Sequence, residues 1–267
     1  MTHKWVTWID CVCENNTMLL DIFPTNIWVL VALAALGSFV YGFAGFGSGL
    51  VGIPLALHFH DLRLVLGVFA LLDCVSVVRI LAANPRHAVP FEVKRLVPAC
   101  VVGLVFGSWL LTFIPVQPLM LLIGLFVMAY SLWSLRYAGA LSRLTALWGV
   151  PAGFSAGITS SMFGIGGPPY VIYLTRRGLS SDALRSTMAA IGLVSIGGRA
   201  LAFGVTGLLS NPAVWITCAL ALPASLVALS LAERLRPHVS ALVSRRVIEW
   251  LLLLSGLSLV AMADVFG

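Results

Sequence analysis

Long apolar runs separated by short polar loops dominate the chain. They cover 27–59, 64–83, 96–114, 119–135, 144–174, 183–203, 213–231 and 247–265. Strands of a membrane barrel alternate over short segments, whereas continuous runs of about 20 apolar residues match helices crossing bilayer hydrocarbon. The pattern predicts an all-α polytopic membrane protein. Two runs are longer than one span and are interrupted. The first carries Gly42, Gly45, Gly47, Gly49 and Gly52, then Pro54; the second carries Gly157-Ile-Thr-Ser-Ser-Met-Phe-Gly164-Ile-Gly166-Gly167-Pro168-Pro169. Gly and Pro are the least favourable residues in a helix interior. Non-helical backbone at membrane depth must be buried in protein or line a cavity, so each interrupted run is predicted to be a hairpin bent at its glycines.

Composition agrees with this reading and removes alternatives. The chain of 267 residues is 60% hydrophobic and 10% charged, against about 25% charged for a soluble domain. The net charge of +6 comes mainly from loops, where Lys and Arg mark the cytoplasmic side; nucleic acid is not an expected partner. Of five cysteines, Cys74, Cys100 and Cys218 lie in apolar helices as small core residues, and Cys11-Val-Cys13 has no accompanying Cys or His motif. No metal site is expected. Residues 1–26 form a mixed lead-in without the features of a cleaved signal peptide. Trp5, Trp8 and Trp28 suit the membrane interface.

The second half repeats the first, dividing the chain into a lead-in (1–26), a first membrane repeat (27–143) and a second (144–267). Gly49-Leu-Val-Gly-Ile-Pro54 aligns with Gly164-Ile-Gly-Gly-Pro-Pro169, Arg79 with Arg199, and Leu96-Val-Pro-Ala-Cys100 with Ala221-Leu-Pro-Ala-Ser225. Loop charge inverts between matched positions: 84–95 is basic and its counterpart TGLLSNP is not, while the turn PVQP is uncharged and its counterpart 233–246 carries four arginines. The halves are therefore expected to lie upside down to each other. Each would be a broken hairpin followed by three transmembrane helices, with both chain termini outside.

Candidate chemistry gathers at the two bends. Loops there free backbone N–H groups, and half-helices after Pro54 and Pro168-Pro169 would aim their N-termini at an anion. The candidate substrate contacts are Gly45, Gly47, Ser48, Gly49, Gly52 and Pro54 in the first bend. In the second they are Thr159, Ser160, Ser161, Gly164, Gly166, Gly167 and Pro168. The other reading is that the glycines only bring helices close together. Arg199 lies within a span, where a charge marks a functional hypothesis, and its fork suits oxyanions. Arg79, its counterpart, would flank the centre from the other side or snorkel to headgroups. Asp73, also mid-span, would pair with an Arg, carry a coupling proton or cap a kink. No metalloprotease, serine-hydrolase or nucleotide-binding motif is present.

These bends, Gly42-Phe-Ala-Gly-Phe-Gly-Ser-Gly-Leu-Val-Gly-Ile-Pro54 and Gly157 to Pro169, resemble those of the TauE/SafE family. The Pro98 and Pro223 spans and the chain length fit as well. The resemblance implies a multi-pass transporter of the bacterial cytoplasmic membrane that moves sulfite or an organosulfonate, with export the expected direction. With no enzyme motif present, no enzyme activity is expected, and no cofactor is expected beyond a coupling proton at Asp73. The partners are a small anion and the bilayer, in a monomer or a homodimer. An anion channel, or a membrane enzyme or assembly factor handling a sulfur compound, are the alternatives.

Overall fold

A computed structural model describes residues 27–83, 87–113 and 143–238, with isolated positions between 118 and 132 and at 250 and 257. The lead-in with Cys11 and Cys13, and the expected spans 119–135 and 247–265 as continuous elements, lie outside the described residues. Within them the regular structure is helical. The α-helices are α1 (Ile27–Ala44), α2 (Ser48–Ala56), α3 (Leu62–Ala83), α4 (Pro90–Phe113), α5 (Gly149–Phe163), α6 (Gly167–Arg176), α7 (Ser181–Val205) and α8 (Pro212–Leu235). Among these, α1, α3, α4, α7 and α8 are long and apolar enough to cross a membrane. Large apolar side chains such as Val102, Val105, Trp109 and Phe113 on α4 and Val227 and Leu231 on α8 are exposed. Apolar surface on this scale would be a liability in water and is the normal lipid face of a span. This is a multi-pass helical membrane protein.

Both interrupted runs fold as tight antiparallel helix pairs. Gly37 of α1 lies against the Ser48 carbonyl of α2, and Gly52 of α2 lies near the Leu33 carbonyl of α1. Gly149 of α5 lies beside the Tyr173 hydroxyl of α6, and Gly166 lies beside Ser160 and Ala156 of α5. The breaks fall at Gly45–Gly47 and Gly164–Gly166. Gly45, Gly47 and Gly164 have φ of 77°, 96° and 71°, left-handed values that an L-residue with a side chain seldom adopts. Sequence matching paired Gly49–Pro54 with Gly164–Pro169, but Gly45–Gly47 is the structural counterpart. Accordingly α2 begins at Ser48, and Pro54 lies inside it rather than before it. In the second half Pro168 and Pro169 do open α6, where proline's missing N–H is harmless.

A second difference concerns α4, which starts at Pro90 rather than near Leu96. The charged stretch reads as loop in the sequence. In the fold Glu92 is buried against Arg177, Arg95 and the Tyr173 hydroxyl, so paired charges occupy the first turns of a helix.

Three helix pairs dominate the packing. The most extensive contacts are α4 with α5 and α8 with α1, followed by α3 with α7. Hydrophobic burial does not drive helix association inside lipid, so close packing must. The α4–α5 seam meets that demand with glycine on both sides. A Cβ on Gly103 would sit 2.2 Å from the Phe154 carbonyl oxygen, and one on Gly157 2.3 Å from the Cys100 carbonyl oxygen. Gly149, Gly153 and Gly157 recur every fourth residue along α5, as do Gly103 and Gly107 on α4.

Gly103→Ala must therefore push two backbones apart, an overpacking of about 1–3 kcal/mol, and should lower the melting temperature of the detergent-solubilised protein. Gly197→Ala, where nothing lies within 4 Å of the added Cβ, should leave it unchanged or raise it. Equal behaviour of the two variants would contradict this packing.

Candidate functional site

The two breaks touch. A Cβ on Gly49 would lie 2.6 Å from the Gly164 carbonyl oxygen, and one on Gly167 would lie 2.6 Å from the Phe46 ring. The first turn of α2 thus faces the end of α5, and the first turn of α6 faces the loop between α1 and α2. Helix geometry leaves the first N–H groups of each without an intrahelical acceptor. In α2 these are Ser48, Gly49 and Leu50. In α6, Pro168 and Pro169 have no N–H to offer, so backbone donors come mainly from the first half.

A buried charge network spans the breaks. Arg199, 1% exposed, pairs with Asp73, 4% exposed, through Nη2 to Oδ2 at 3.0 Å. The Ser48 hydroxyl donates to Asp73 Oδ1 at 2.5 Å. Arg199 Nη1 donates to the Ser160 carbonyl at 3.4 Å, and the Ser195 hydroxyl donates to Ser160 Oγ at 3.0 Å. One ion pair therefore ties α3 and α7 together and reaches both breaks through Ser48 and Ser160. Arg199 is not a free cation awaiting an anion, since its charge is matched within the fold. Arg199 Nε is buried and makes no hydrogen bond.

Around this network lies a cavity of about 50 Å³, several times the room one water needs. Of the residues singled out in the sequence, Gly45, Gly47, Ser48, Gly49, Asp73, Ser160, Gly164, Gly166, Gly167 and Arg199 line it. Gly52, Pro54, Thr159, Ser161, Pro168 and Arg79 do not. Gly52 packs against the Phe69 ring, the close-packing role weighed for these glycines. Pro54 is buried within α2, and its carbonyl is bonded by His58 Nδ1. The Thr159 and Ser161 hydroxyls bond carbonyls of their own helix.

Arg79 lies apart from these residues. It does not flank the cavity but lies near the end of α3, bonding the Leu226 carbonyl and pairing with Glu233 at 3.5 Å. Glu233 also takes Arg185 at 3.1 Å. With Arg236–Asp182 and the Glu92 pairs, these contacts gather charge at the bundle end where α3 finishes and α7 begins.

Tyr41, Tyr170, Met188, Ser195 and Ile196 also line the cavity and were not singled out in the sequence. A signal existed for part of this set. Met188, Gly192, Ser195, Ile196 and Arg199 recur at helical spacing on one face of α7, so the face of Arg199 identifies its companions.

A cavity lined in part by paired buried charges at two helix breaks, inside an apolar bundle, is the kind of site a membrane solute transporter carries. Comparison with known proteins gives the family. The chain matches the family described as Sulfite exporter TauE/SafE over residues 30–259, and it belongs to that family. Its members are transporters, not enzymes. The chain is similar to the probable inner membrane transporter protein TsaS of Comamonas testosteroni, at 27% identity over 195 residues, covering 72% of this chain and 81% of that one. It is also similar to the probable sulfite/organosulfonate exporter TauE of Cupriavidus necator, at 27% identity over 237 residues, covering 86% and 92%. No solved structure matches.

Removing one member of a buried pair leaves an uncompensated charge and costs about 3–5 kcal/mol. Arg199→Gln should therefore lower the melting temperature markedly, and adding Asp73→Asn to it should recover most of the loss. Thermal unfolding of the two purified variants measures this. A double variant no more stable than the single would show that the pair is not the source of the effect.

Proposed function

We propose that the chain is a secondary transporter, with export the favoured direction, for a small sulfur-containing oxyanion or organosulfonate, working by alternating access. The observation that carries this is the cavity shared by both helix breaks, with Arg199 in its wall. Membership of a sulfite-exporter family and the sulfite/organosulfonate exporter named among the relatives supply the substrate class.

The two halves, 27–143 and 144–267, act as inverted repeats. Exchanging α1–α4 for α5–α8 carries the α4–α5 contact into α8–α1 and returns α3–α7 to itself, as a two-fold relation between halves requires. Gly149 at the start of α5 adjoins Arg95 at the charged bundle end, so the second hairpin opens there. The first opens at the other end, where α2 runs into α3. The charged end also carries Arg95, Arg176, Arg177, Arg234 and Arg236, so the positive-inside rule favours the cytoplasm for it, with both chain termini proposed outside. Transport then rocks one half against the other around the fixed site.

A coupling proton follows from the charge balance. An anion that draws on Arg199 leaves Asp73 with less compensation in a dry interior, and protonation of Asp73 restores neutrality. Ser48 and Arg199 bond this carboxyl.

In proteoliposomes, sulfite flux should saturate with concentration and respond to an imposed pH gradient. Asp73→Asn should remove the pH response while preserving exchange of anion for anion. Unitary currents would replace this reading with an anion channel, and chemical turnover of the sulfur compound without net movement would replace it with an enzyme.

A further inference from the structure

Most polar groups around the cavity already have partners. Ser48 donates to Asp73, Ser195 donates to Ser160, and two nitrogens of Arg199 are bonded. Among the described residues lining the cavity, two buried side-chain polar atoms make no hydrogen bond: Arg199 Nε and the Tyr170 hydroxyl. Tyr170 is 3% exposed. Its hydroxyl lies near the Cys100 thiol and the Ser195 hydroxyl without completing a hydrogen bond to either. A buried hydroxyl without a partner is uncommon, because losing water without replacement is unfavourable.

The surroundings make this hydroxyl a fixed feature. Tyr170 follows Pro168 and Pro169 in the first turn of α6, where the rings lock the backbone. The side chain is packed into a core cluster with Leu96, Cys100 and Met188. The phenol is thus held rigidly among apolar side chains, and Tyr170 forms part of the cavity wall. Arg199 of α7 and Ser48, Gly49 and Leu50 of α2 line the same cavity, and Arg199 Nε and the first N–H groups of α2 are without a partner within the fold. Each of these groups is a donor.

We propose that Tyr170 is a ligand and specificity-determining residue of this cavity. Its hydroxyl donates to a substrate oxygen while Arg199 Nε and the α2 N-terminus hold others, selecting deprotonated oxyanions with two or more acceptor oxygens on one centre. This rests on the anion-transport reading and adds to it the side chain that recognises the oxygens. It also accounts for the uneven hairpins: α6, which lacks N–H groups at its two prolines, supplies a side-chain donor in the place where α2 supplies backbone.

The test is sulfite binding to the purified full chain in lipid nanodiscs, measured by calorimetry for the wild type and Tyr170→Phe, with chloride as a single-atom anion for comparison. One lost hydrogen bond to a charged ligand corresponds to about 10- to 100-fold weaker sulfite binding, with chloride affinity changed much less. The ligand-free melting temperature should stay the same or rise, since the hydroxyl has no partner to lose. Unchanged sulfite affinity in Tyr170→Phe overturns the proposal alone. A clear fall in the ligand-free melting temperature also overturns it, because the hydroxyl would then be structural. A wild type that binds none of sulfite, sulfate, thiosulfate and taurine overturns the transport reading and this inference with it.

Discussion

The Asp73–Arg199 ion pair is the constraint on which the centre of the molecule depends. Either charge alone in the middle of an apolar bundle is costly, and neither can reach water by snorkelling from its position. They must therefore find each other, which obliges α3 and α7 to lie side by side with these residues facing. The remaining bonding capacity must also be met. Ser48 satisfies the carboxylate and the Ser160 carbonyl takes a guanidinium N–H, so both helix breaks are drawn to the same pair. Buried pairs contribute little net stability compared with apolar packing, and their best-attested contribution is specificity of arrangement. Here the arrangement specified is the meeting of the two breaks.

Glycine then has two separable roles that look identical in the sequence. At Gly45, Gly47 and Gly164 the backbone is left-handed, and the chain can reverse because no side chain opposes it. At Gly52, Gly103 and Gly157 the backbone is ordinary helix, and the missing Cβ is occupied by a neighbour's ring or carbonyl. The second role supplies the attraction between helices that apolar burial cannot supply in lipid. Only a structure separates the two, since both appear as Gly in an apolar run.

Much of the fold is legible in the sequence because bilayer physics allows few options. Among the described residues apolar length gives the spans, and two runs too long and too rich in Gly and Pro give the breaks. Boundaries suffer where charge is paired rather than solvated: Glu92, Arg95 and Arg177 read as loop residues, yet α4 begins at Pro90 and buries Glu92. Register suffers where letters match better than roles, as when Gly49–Pro54 stands in for Gly45–Gly47. The site divides in the same way. Asp73 and Arg199 are conspicuous because charge is rare in a span. Arg79 is equally conspicuous but sits near its helix end, where Glu233 can answer it. Tyr170 is missed because an aromatic residue in an apolar helix is unremarkable until its hydroxyl is seen to lack a partner.

The two halves of the chain bring unlike chemistry to the cavity, and that difference bears on how a transporter of this kind could cycle. The first half brings to the cavity the N–H groups that open α2 together with the Asp73 carboxylate. The second brings Arg199 and Tyr170 from α7 and α6. On the proposed function an anion between them would be held by backbone dipoles on one side and by side-chain donors on the other, so movement of one half against the other would change both grips together. The same movement would alter the distance between Asp73 and Arg199, because that pair also crosses the halves. Substrate hold and charge balance are therefore linked by geometry. Two identical halves, each carrying its own matched Asp and Arg, would lack this linkage, because each pair would travel intact with its own half.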